Sequence, residues 1–100
     1  MEITKSMSNM QTILKISGSL NTLNSLEFEN MIQDLTENEC SDVLVDASEL
    51  EYISSSGLRV FLKLNKKAFN CGGHVIIEGL SDEIKEIFEI TGLSATFEIL

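Results

Sequence analysis

Val43-Leu44-Val45 and Val75-Ile76-Ile77 are two short apolar runs, rich in β-branched residues and too brief to be helices. Runs of this kind read as buried strands. Stretches with helical spacing separate them, and strands alternating with helices close as a mostly parallel sheet with right-handed crossovers. The rest of the chain fits that frame. Residues 11–17 hold Ile13, Leu14 and Ile16 between polar residues and read as a strand, with residues 2–7 as a weaker pairing partner. Phe28, Met31, Ile32 and Leu35 follow at i, i+3, i+4 and i+7, an amphipathic helix. Asn24 or Ser25 is placed to cap it, Glu27 and Glu29 favour its positive end, and it fades in the polar stretch 36–41.

Residues 48–53, after the first apolar run, read as a loop. A long helix is expected from the serines at 54–56 to Asn70, with Leu58, Phe61, Leu62, Leu64, Ala68 and Phe69 on one face. Arg59, Lys63, Lys66 and Lys67 lie on the other face, and Cys71-Gly72-Gly73 stops the helix. Ser81 caps a last helix with Ile84, Ile87 and Phe88 as its stripe, Gly92 ends it, and residues 95–100 read as a final strand. The expected order is β-β-α-β-α-β-α-β, an α/β fold in a single domain over residues 1–100.

Composition narrows the function. Sixteen Asp and Glu stand against seven Lys and Arg, a formal net charge of −9. That balance argues against nucleic acid, which is bound mainly through phosphate neutralisation, and against an anionic membrane surface. No apolar run approaches the roughly 18 residues of a membrane span, and no secretory leader is read at the N-terminus. Cys40 and Cys71 are expected as free thiols, in keeping with a cytoplasmic location. With His74 they are the only soft ligands, and their spacing matches no zinc site, so no metal is assigned. Phosphate-loop, dinucleotide and nucleophile-elbow motifs are absent, so neither cofactor nor enzymatic activity is assigned.

One string stands out, Ser54-Ser55-Ser56-Gly57 at a helix start. A single serine there is an ordinary N-cap. Three exceed what a cap needs, and they fall at the C-terminal end of a parallel strand, where open α/β sheets bind ligands and partners. Both readings stand on the residues alone.

The chain resembles the STAS family, the domain of bacterial anti-sigma-factor antagonists. The resemblance covers nearly the whole chain. It is carried by Asp46 and Ser48, by Leu50, Tyr52 and Ile53, and by the run from Ser54 to Val60. Gly18-Ser19-Leu20-Asn21, Gly72-Gly73, Gly79-Leu80-Ser81 and Thr91-Gly92-Leu93 add to it. The resemblance implies a small sheet with helices largely on one face. It implies Ser56 as a regulatory phosphorylation site, with Ser55 as second candidate. It implies an anti-sigma factor that is also an ATP-using serine kinase as partner, and a PP2C-type serine phosphatase that resets the switch. Asn21, Ser54, Ser55, Gly57, Arg59 and Lys63 are the candidate partner-binding residues. Asn21 replaces the family's usual Asp, which removes a charge from that position. An alternative within the family is a non-switching subunit of a phospholipid-transport ATPase or of a stress-signalling scaffold. The Arg59–Lys67 stripe is either a solvated face or a contact for an acidic patch on the kinase.

The charge is unevenly spread. Residues 16–58 hold nine acids and no Lys or Arg, while the remainder holds seven of each. The serine motif is therefore expected at a boundary between opposite potentials.

Overall fold

The computed structural model describes all residues 1–100. In chain order the elements are β1 (Glu2–Ser8), β2 (Gln11–Leu20), α1 (Ser25–Gln33), α2 (Glu37–Cys40), β3 (Asp42–Ile53), α3 (Ser55–Asn70), β4 (His74–Glu78), α4 (Asp82–Ile90), a 3-10 turn (Leu93–Ala95) and β5 (Glu98–Ile99). The strands form one five-stranded sheet in the order β1-β2-β3-β4-β5. Only the β1–β2 hairpin is antiparallel, and the other three pairings are parallel.

The alternation along the strands sets which face is covered. Leu14, Ile16, Val43, Val45, Val75 and Ile77 are buried under the helices. Their neighbours Ile13, Leu44 and Ile76 pair in one row on the opposite face and stay half-exposed. Helices therefore cover one side of the sheet. Phe61 of α3 centres that layer, edge-on to Phe28 at 5.3 Å, Phe88 at 5.8 Å and Phe97 at 6.2 Å. Edge-to-face rings add a directional preference to their burial.

The structure corrects the sequence reading of the strands, the helix extents and faces, and the cysteines in five places. Residues 48–53 are not a loop: β3 runs on to Ile53, pairing with Ser17, Gly18, Ser19 and Leu20 of β2 through two register shifts. The shifts break the period-two alternation, leaving Leu50 and Ile53 buried three residues apart. The polar stretch after α1 forms the short helix α2, whose start is held by the Thr36 N–H donating to Glu39 Oε1 at 2.9 Å. On α3 the buried residues are Gly57, Val60, Phe61, Leu64 and Ala68, while Leu62 and Phe69 point to solvent. The sheet accepts a narrower stripe of that helix than its apolar content suggests. The final strand keeps only Glu98 and Ile99, because a 3-10 turn takes up the residues before it.

Last, Cys40 and Cys71 are not free: they form a disulfide, with Cα atoms 6.1 Å apart. The starts of β3 and β4 bring them together. The His74 N–H donates to the Ser41 carbonyl at 3.2 Å. Gly73 lies so close to that carbonyl that a Cβ would come within 1.3 Å of its oxygen. The two junctions, one carrying each cysteine, are thus stacked at the end of the sheet opposite the serine motif.

Candidate functional site

The three serines have three different environments. Ser54 is buried and belongs to the fold. Its N–H donates to the Leu20 carbonyl at 2.8 Å, joining the end of β2 to the start of α3. Its Oγ accepts from the Gly57 N–H at 3.1 Å, so it is the N-cap. Ser55 is exposed. Ser56 is half-buried, and its side chain lines a cleft of about 200 Å³ between α3 and α1. The hydroxyls of Ser55 and Ser56 are outside the cap bond. The first N–H groups of a helix lack intrahelical partners, so those of Ser55 and Ser56 face outward with the positive end of the dipole.

Gly57 is where α3 meets the sheet. A Cβ there would lie 2.8 Å from Leu20 Cγ and 3.0 Å from Ile53 Cγ1, inside the core. Glycine lets the helix start this close to both strand ends, which sets how far Ser55 and Ser56 project.

The other wall of the cleft comes from α1, through Ser25, Leu26 and Glu29. Asn24 was expected to cap α1 with its side chain. Instead Asn21 and Asn24 bond each other: each N–H donates to the other's Oδ1, at 2.8 and 3.0 Å. Asn24 Nδ2 also donates to the Ser19 carbonyl at 2.8 Å. Ser25 does not cap either, since its hydroxyl donates to the Thr22 carbonyl at 3.1 Å. This locked turn leaves Leu23 91% exposed and Leu26 60% exposed beside the serines.

Arg59 and Lys63 stand on the α3 side of the cleft. Lys63 pairs with Glu29 across it. Arg59 is exposed and outside the three ion pairs of the chain. Lys67, further along the stripe, donates to the Ile32 and Gln33 carbonyls at 2.8 Å each and closes the C-terminal end of α1. Part of the basic stripe thus ties α3 to α1. Ser56 lines the cleft together with Glu29 of α1 and Arg59 and Lys63 of α3.

Asp46 and Ser48 carry the first part of the motif, and they are local braces. Asp46 Oδ1 accepts from the Ser48 hydroxyl at 2.7 Å and from its N–H at 3.0 Å. These bonds hold the Asp46 carboxyl below the usual carboxylate range, with Lys15 adding to the effect. The brace spans the first register shift of β3, which lies between Asp46 and Glu49.

The structure brings Ser54, Ser55, Ser56, Gly57, Arg59 and Lys63 together, with Asn21 at the neighbouring turn. Ser25, Leu26 and Glu29 were missed as site residues. Leu26 offered a signal, being an apolar residue off the Phe28–Leu35 stripe next to Leu23.

The STAS domain family model matches residues 1–100. The chain belongs to the STAS family. Among STAS relatives, the anti-sigma-B factor antagonist of Staphylococcus aureus is 30% identical over 80 residues, covering 80% of this chain and 74% of its own. The Bordetella bronchiseptica protein BtrV is 28% identical over 99 residues, covering 99% of this chain and 85% of its own. The phosphorylated form of the Bacillus cell-fate determinant SpoIIAA superposes with a TM-score of 0.76 at 15% identity, covering 99% of this chain and 91% of that one. At that identity the likeness concerns the STAS fold, a small, mostly parallel sheet with its helices on one face.

Proposed function

We propose that the chain is an anti-sigma factor antagonist that works by partner switching. Unphosphorylated, it binds an anti-sigma factor that is also a serine kinase. Phosphorylation of Ser56 releases it, and a PP2C-type serine phosphatase restores it. It acts in the cytoplasm, without nucleic acid or membrane insertion, and it is a regulator rather than an enzyme. The likeness to the anti-sigma-B factor antagonist of Staphylococcus aureus supports the reading. The observation that carries it is the division of labour at the start of α3. Ser54 serves the fold, which leaves the Ser55 and Ser56 hydroxyls for chemistry.

The physics of the switch is simple. A phosphate brings about −1.5 to −2 charges at neutral pH. A helix N-terminus tolerates that charge, so the fold persists. A partner shaped for a hydroxyl and for Leu23 and Leu26 does not tolerate it. A thousandfold loss of affinity requires about 4 kcal/mol, within reach of one misplaced, desolvated charge.

The test is incubation with the cognate kinase and ATP, followed by mass spectrometry and calorimetry against the kinase. Phosphate on Ser56, and binding weakened about a thousandfold by it, is the expected result. Ser56→Ala phosphorylated as fully as wild type would overturn the assignment and move it to Ser55.

A further inference from the structure

The cleft beside Ser56 holds two cations and one carboxylate. Arg59, Lys63 and Glu29 all line it, and Ser56 lines it with them. On α3 these positions are Ser56, three residues on, and seven residues on, so they share one side of the helix. The Cβ atoms of residues three apart lie about 5–6 Å from each other. Helical side chains lean toward the N-terminus, so Arg59 and Lys63 lean toward Ser56 rather than away from it. Arg59 has no ion-pair partner, whereas Lys63 is held by Glu29. In the unmodified chain the cleft therefore carries one uncompensated positive charge, in a molecule with a net charge of −9.

We propose that this cleft is the seat of the phosphoryl group placed on Ser56: Arg59 grips it with its planar fork, and Lys63 turns from Glu29 to join it. Guanidinium groups bind phosphate through two parallel N–H bonds. The inference rests on Ser56 as the modified residue. It gives the switch a second effect besides added charge. Phosphorylation breaks the Lys63–Glu29 tie between α3 and α1, the helix whose first turn presents Leu26. One modification then alters both the serine and the apolar wall beside it.

The test uses the full chain with phosphoserine installed at position 56 during translation, so it needs no kinase. Phosphorus NMR follows the second ionisation of the phosphate. It is expected to fall below the ordinary value of about 6. Arg59→Gln should move it back up by about half a pH unit or more, and Glu29→Gln, which removes a competing carboxylate, should move it further down. Lys66→Gln lies on the same helix outside this cleft and serves as control for net charge. The proposal is overturned if Arg59→Gln leaves the titration unchanged, or if Lys66→Gln shifts it as much. Kinase-treated chain bearing phosphate at Ser55 alone would instead refute the Ser56 reading, whatever the titration shows.

Discussion

Gly57 decides how the serines are presented, and replacing it tests that claim directly. Its missing Cβ leaves room for Leu20 and Ile53, both buried. Gly57→Ala forces methyl against core, and overpacking of this kind costs about 1–3 kcal/mol. Urea denaturation should show the loss, together with altered binding to the proposed kinase partner, because the start of α3 must move outward. An unchanged midpoint would mean that Leu20 yields freely. The serines were legible at this scale because they are contiguous and follow an apolar strand. The cleft was not. Ser56 and Glu29 are 27 positions apart, and only the packing of α1 on α3 brings them to one wall. Asn21 and Asn24 show the same limit. The residues around them announced a turn, with Asn24 or Ser25 as the cap of α1, and the reciprocal Asn21–Asn24 pairing is a property of the folded turn.

Among the elements, α2 is the shortest α-helix, and it is tied to the rest of the fold at several points. Lys5 of β1 donates to Glu39 at 2.7 Å, Thr36 donates to the same carboxylate, and Cys40 joins Cys71. The Lys5 and Thr36 bonds lower the Glu39 pKa from its ordinary 4.5 to about 2. A carboxylate whose folded pKa is depressed stabilises above its unfolded value and loses that contribution as pH falls through its folded value. The contribution of Glu39 is thus complete above about pH 4.5 and gone near pH 2. Glu39→Gln should flatten that part of the stability–pH curve, measured by urea midpoints at successive pH values. Equal slopes for both proteins would remove Glu39 from the account. The disulfide acts on the same element. Its residues are 31 apart in sequence, a loop for which chain entropy gives roughly 3–4 kcal/mol. Reductant should lower the unfolding midpoint of wild type by that order and leave Cys40→Ser/Cys71→Ser unaffected. Wild-type midpoints indifferent to reductant would show that the bond does not brace the fold. In a reducing compartment the two sulfurs would face each other as thiols. The sequence did carry a signal for α2, the Thr36-x-x-Glu39 capping pattern. The second half of β3 carried none, because its register shifts erase the alternation by which strands are read.

For the whole molecule, the alternation of buried runs with amphipathic stretches pointed to a mostly parallel sheet, the STAS resemblance to helices on one face, and the strand order came only with the structure. Long, strongly periodic segments constrain topology even when their ends are uncertain. The charge partition was also legible, since it depends on counting. Its placement along the α1–α3 seam was not, because that needs the neighbour relation of two helices. The sheet order has a further consequence. Each strand lies beside the one made just before it, so the sheet can assemble in the order of synthesis. The β1–β2–β3 half, with α1 and α3, already contains the Phe28–Phe61 contact. Phe88 and Phe97, which touch each other at 6.0 Å, arrive with the last third of the chain and close the ring cluster. Conservative truncations of Phe28 or Phe61 should therefore slow refolding, whereas those of Phe88 or Phe97 should mainly speed unfolding. Stopped-flow kinetics would tell, and the reverse partition would place the nucleus at the other end. If the order holds, the serine-bearing turn is built before the final strand has docked.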